Sequence, residues 1–124
     1  MIEVQEQTDS AETHLLASNC EGVRSQLQAL GVTCKGISVL NESGQPLLGF
    51  SDASEPLIEA VGQVFVRVQQ DGQLCIGKDG KAGYLVAYPV FTTAAALKQV
   101  FVVWLETVSE QTVAVVRLAM GWLH

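Results

Sequence analysis

The side chains best suited to nucleophilic or metal chemistry are three cysteines, Cys20, Cys34 and Cys75, and two histidines, His14 and His124. Their spacing opposes both uses. An odd number of cysteines with no two close together supports neither a disulfide framework nor a CxxC redox or zinc motif. The histidines sit at opposite ends of the chain, and without an HExxH or paired His/Cys spacing no metal site is expected. Both also fall in helical stretches, whereas a Ser/His/Asp set needs a histidine in a strand-end loop. Cys75, between Leu74 and Ile76, reads as a small buried hydrophobe, and Cys20 and Cys34 read the same way, because a reactive thiol wants electropositive, accessible surroundings. The turn Lys78-Asp79-Gly80-Lys81 could meet a phosphate, but Asp79 offsets its charge and no glycine-rich strand-to-helix loop follows, so it reads as a solvated hairpin turn. A catalytic cleft would have to gather carboxylates such as Asp52, Glu55 and Glu59. No catalytic set is expected, and no cofactor.

Two constellations suit binding better than catalysis. Tyr84 and Tyr88 lie four apart on one strand and therefore share a face, each offering an apolar body with a polar tip. With Leu57, Val61 and Cys75 they form the candidate lining of a small-molecule pocket between a helix and a sheet, against the ordinary alternative of core packing. The second constellation is apolar surface in excess of need on the terminal helices. Val115, Leu118 and Trp122 make a second stripe on the last helix, and Leu16, Val23 and Leu27 lie on the stripe of the first. Either the two stripes cover each other within the chain, or they pair with a second copy as a four-helix bundle, which makes these six residues the candidate homodimer interface.

The elements that must position these groups follow from periodicity. Residues 1–10 carry Glu3, Glu6 and Asp9 with no base and read as an acidic arm. Residues 11–124 read as one domain. Apolar residues Leu16, Cys20, Val23, Leu27 and Leu30 step by four and three along a first helix that Gly31 stops. Cys34 to Leu40 alternates as a strand, with Cys34, Gly36, Ser38 and Leu40 on one side. Asn41 to Gln45 is turn chemistry, and Pro46 to Phe50 is a short second strand. Asp52 and Ser54 are candidate N-caps of a helix over 55–70, whose broad apolar face is Leu57, Ile58, Val61, Val64, Phe65 and Val68. Strands follow over 73–77, over 83–91 with Pro89 suggesting an edge or a bulge, and over 98–106, apolar on both faces and therefore central. Thr107-Val108-Ser109-Glu110 fits a capping box for a last helix. Because that helix reaches His124 without a stop signal, the chain reads as the N-terminal piece of a longer protein.

The expected fold is α+β: a mainly antiparallel five-stranded sheet in the element order α-β-β-α-β-β-β-α. The strand order is 2-1-5-4-3, with helix 55–70 on one face and both terminal helices on the other. Length, charge and composition bound the rest. The chain has 124 residues, enough for one core, and 48% hydrophobic against 16% charged residues excludes a disordered chain. A net charge of -6 with no basic patch argues against nucleic-acid binding. The longest stretch without charge, Ala82 to Leu97, has 16 residues and is too short and broken to span a bilayer. No secretory signal opens the chain, so a cytoplasmic location is the default.

Two families share this element order, which belongs with the PAS/GAF/profilin-like folds. Tyr88-Pro89-Val90-Phe91, a loop, and then Gln99 to Glu106 resemble the late strands of a GAF domain. Val116-Arg117-Leu118-Ala119-Met120-Gly121-Trp122-Leu123-His124 is similar to the closing helix of GAF domains near the N-terminus of bacterial secretion and membrane-fusion proteins. The resemblance covers about residues 82–124 by motif and the remainder by element order. It implies a non-catalytic sensory module that couples a ligand or partner to the packing of its terminal helices. The chain departs from the GAF pattern in having no Asn-Lys-Phe-Asp-Glu signature and no bilin-attaching cysteine. It also has space for only one helix between the first hairpin and Gln73, so any pocket is small. The alternative is the roadblock/LC7 family, whose hairpin Gly31-Val32 and Glu42-Ser43-Gly44-Gln45-Pro46-Leu47 resemble. That resemblance implies a dimeric protein-interaction scaffold with no small-molecule ligand. An enclosed cavity near Cys75 and Tyr88 would favour the first family; a filled core with pairing of helices and sheet edges would favour the second.

Overall fold

A computed structural model describes residues 18–50, 54–80 and 83–121. The acidic arm, Leu16, His14, Asp52, Trp122 and His124 lie outside the described residues. The architecture is the expected one: a five-stranded antiparallel sheet in the order β2-β1-β5-β4-β3, with helices on both faces. Helix α1 is described over 18–29. It ends in a Schellman motif: Gly31, at φ 80°, donates to Gln28, and Val32 donates to Leu27 at 2.8 Å. That closure turns Leu30 out to solvent, away from the stripe to which its spacing assigned it.

Strand β1 (Cys34–Asn41) pairs with β2 (Pro46–Leu48) on one side and with β5 (Leu97–Leu105) on the other. A bulge between Cys34 and Gly36 moves Cys34 to the face of Ile37 and Val39. The alternation of the sequence had placed it on the face of Gly36, Ser38 and Leu40. β2 is shorter than expected, because Phe50 leaves the strand line and packs edge-on against Trp104.

Helix α2 (Glu55–Asp71) is capped by Ser54, whose hydroxyl accepts from the Leu57 amide. Leu57, Ala60, Val64, Phe65 and Val68 pack on Leu40, Cys75, Leu85, Ala87, Val100 and Val102. On the opposite face, Cys20, Val23 and Leu27 of α1 and Val116 of α3 (Glu110–Gly121) cover Val39, Val86, Phe101, Val103 and Leu105. β5 is thus the central strand, buried on both faces. β4 (Tyr84–Phe91) lies between β5 and the edge strand β3 (Cys75–Lys78). Pairing with β3 stops at Ala87, so Pro89 sits where β4 is locally an edge and its missing N–H costs no ladder bond.

The remaining connections are closed by short-range hydrogen bonds. The 92–96 loop is a tight turn closed by Thr92 and Ala96, with Ala95 at φ 63° where a glycine is usual. The last helix is capped by Ser109, whose hydroxyl accepts from the Thr112 amide at 3.2 Å. Thr107, the expected cap, is exposed two residues upstream.

Candidate functional site

A buried carboxylate, Asp79, lies in the turn between β3 and β4. Its residue is 4% exposed. One carboxylate oxygen accepts the Trp104 indole N–H at 2.7 Å, and the other accepts the Gly83 amide at 3.1 Å. The Asp79 amide in turn donates to the Gly83 carbonyl. A Cβ at position 83 would meet the Asp79 carboxylate, so any other residue there displaces it. Trp104 is also flanked by the Phe50 ring, with centroids 5.5 Å apart, and by the Lys35 ammonium at 5.1 Å from the ring centre. The turn read from sequence as solvated is therefore an anchor, tying the β3–β4 hairpin to the central strand. Both oxygens of the carboxylate are engaged in holding structure rather than presented to a ligand.

The five candidate pocket residues divide between the two faces of the sheet. Leu57 and Val61 line an apolar groove of about 370 Å³ between the first half of α2 and the β1–β2 hairpin. Cys75 is buried beneath α2 in the same layer. Tyr84 and Tyr88 do share a face, but it is the other one: Leu85 and Ala87 turn toward α2, which leaves their neighbours facing the terminal helices. Tyr88 there borders a second cleft of about 450 Å³ with Phe91 and Arg117. Between α2 and the sheet, Cys75 belongs to one buried apolar cluster with Val64, Val68, Leu85 and Ala87.

The six candidate interface residues also separate. Val23 and Leu27 are buried between α1 and the sheet of their own chain. Val115 is half-buried and Leu118 is 62% exposed; Leu16 and Trp122 lie outside the described residues. Sequence reasoning missed a different exposed stripe. On α2, Ile58 is 60% and Val66 47% exposed, with Gly62 midway between them. The helical spacing 58–62–66 was the available signal, but Ile58 had been counted into the buried face.

The thiols are held protonated. Burial, with the Glu21 and Cys34 charges added, pushes Cys20 up to about 11. Burial likewise raises Cys34 and Cys75, in part against the nearby guanidinium groups of Arg24 and Arg67 respectively. Glu55 and Glu59 are exposed on α2. Among the described residues no three metal-ligating side chains gather, and no helix is long and apolar enough to cross a membrane. No protein-family model, curated protein or solved structure matches the chain.

Proposed function

We propose that the domain is a non-catalytic regulatory module that acts as a homodimeric protein-interaction scaffold, the roadblock-like reading of the sequence. The observation that carries it is the outer stripe of α2. Ile58 and Val66 are large apolar side chains left in water on a helix whose inner face already packs on the sheet, Ile58 at the rim of the Leu57/Val61 groove. The stripe is self-complementary. An antiparallel pair of α2 helices crossing at Gly62 sets Ile58 of one copy against Val66 of the other, and the glycine lets the backbones approach. On the edge strand β3, Ile76 pairs with Val86 and so turns its side chain to the terminal-helix face, away from the stripe. Arg67 already donates to the Ile76 carbonyl at 2.9 Å, so the helices rather than the sheet edges make the main contact.

The close packing of Val64 and Val68 with Cys75, Leu85 and Ala87 supports this reading over the GAF-like sensor. The sensor keeps one specific support, the groove lined by Leu57 and Val61, and with it a role in a cytoplasmic part of a secretion-related protein. Analytical ultracentrifugation tests the proposal. The wild-type domain is expected to sediment as a dimer at micromolar concentration. Ile58→Glu is expected to sediment as a folded monomer, and Leu118→Glu on the terminal helix as a dimer. A wild-type monomer, or a dimer broken only by Leu118→Glu, overturns it.

A further inference from the structure

We propose that the open half of β1 takes an extended acidic peptide segment as an added strand, a second interaction surface independent of α2. β1 has eight residues, but β2 pairs only with Val39 and Leu40. Among the described residues, the half that begins at Cys34 therefore has a strand neighbour on the β5 side alone. The Asn41 amide points to the β2 side, where it donates to Gln45. β1 is regular against β5 from Gly36 to Asn41, so by strand alternation the Ile37 N–H and C=O point the same way, past the end of β2.

A cleft of about 240 Å³ lies at that edge. Its walls come from both faces of the sheet: Glu21 and Arg24 from α1 on one, Phe50 and Trp104 on the other, with Lys35 and Ile37 between. It is thus a slot that crosses the sheet plane where a strand is missing, the geometry that strand addition requires. Its charge selects the partner. The chain carries 13 acids against 7 bases, yet two of those bases, Arg24 and Lys35, stand at this slot against the single acid Glu21. Neither forms an ion pair with a carboxylate among the described residues; Lys35 lies over Trp104. A segment alternating acidic and apolar residues places its carboxylates toward Arg24 on the α1 face and its apolar side chains toward Phe50 on the other, where Lys35 over Trp104 adds positive charge at the rim of the slot.

A lysine and a bulge are also devices that keep a sheet edge from pairing, and that alternative is one outcome of the test. The probe is a short acetylated, amidated peptide of alternating glutamate and valine, titrated calorimetrically into the full chain. Its lysine counterpart and a version N-methylated on alternate residues serve as controls. The glutamate peptide is expected to bind, and the Ile37 and Lys35 amide resonances are expected to shift. In Arg24→Glu/Lys35→Glu, with its urea midpoint unchanged, affinity for the glutamate peptide is expected to fall about tenfold and affinity for the lysine peptide to rise, from the lost Arg24 ion pair and the reversed charge of the slot. N-methylation is expected to abolish binding. No binding of the glutamate peptide at millimolar concentration means that the edge is only guarded, and overturns the proposal. Equal binding of the lysine or the N-methylated peptide also overturns it. The α2 dimer is read separately by sedimentation, so failure of one surface leaves the other standing.

Discussion

Replacing Gly83 with alanine tests the Asp79 anchor most directly. A Cβ at this position meets the Asp79 carboxylate and lies 3.1 Å from the Leu105 carbonyl, so one of the two must move. The Leu105 carbonyl belongs to the central strand, which is packed on both faces. The carboxylate yields instead, losing the Gly83 amide at 3.1 Å and the Trp104 indole at 2.7 Å. A hydrogen bond to a charged acceptor contributes about 1.5–3 kcal/mol, so the substitution is expected to cost about 3–6 kcal/mol. Against a typical domain stability of about 5–15 kcal/mol, that removes a large share of the total and unfolds a domain only at the low end of the range.

Two milder variants separate the bonds. Trp104→Phe keeps an aromatic ring beside Phe50 and removes one donor. Asp79→Asn keeps the shape and removes the charge. Each is expected to cost about 2–4 kcal/mol by urea denaturation followed by far-ultraviolet circular dichroism. The double variant is expected to cost about 1–2 kcal/mol less than their sum, since both remove the same bond. Strict additivity, or a Gly83→Ala cost below about 1 kcal/mol, would refute the anchor.

Three further expectations follow from packing, backbone geometry and burial. Leu27→Ala should cost about 2–5 kcal/mol in urea denaturation, and Leu118→Ala about 0.5 kcal/mol or less, because only the first side chain lies in the core; similar costs would contradict the division of the terminal helices. Ala95→Gly should raise stability by about 0.5–1 kcal/mol by relieving the positive φ, and a lower urea midpoint would refute that assignment. Stability should fall as pH rises from about 8.5 toward 11, because unfolded thiols ionise near 8.5 while the fold holds Cys20 protonated to about 11, so above 8.5 the unfolded state binds fewer protons. Cys20→Ala should show a shallower fall over the same range, and an unchanged pH slope would show that the thiol is not what titrates.

The strand order and the placement of the helices were legible because the pattern left few alternatives. A strand apolar on both faces, Val100 and Val102 on one and Phe101 and Val103 on the other, has to be central. The helical repeat of α2 outweighs its β-branched content. The misplaced details all depend on events away from the local pattern. Asp79 lies among lysines and glycine, as solvated turn residues do, and its partner Trp104 is 25 residues further along the chain. The usable signal was the indole: a tryptophan on a buried strand needs an acceptor for its N–H. Cys34 changed faces because one bulged residue reverses the parity of everything before it. At the last helix two caps overlap within three residues. Local chemistry favours Thr107-x-x-Glu110 as well as Ser109-x-x-Thr112, and only the structure shows which was chosen.

The division of the terminal helices bears on how the domain could signal. Val23, Leu27 and Val116 are all committed to the same core layer, over Val39, Phe101 and Val103. A four-helix bundle built on Val23 and Leu27 would first have to lift α1 off the sheet. Exposing those two side chains alone would cost about 3–6 kcal/mol. A partner docking on α2 meets no such cost, because Ile58 and Val66 are already outside. Under the proposed function, association through α2 therefore leaves the terminal helices seated. Any change transmitted to them has to pass through the sheet, in which β1, β4 and β5 each contribute residues to both core layers and β5 joins the other two.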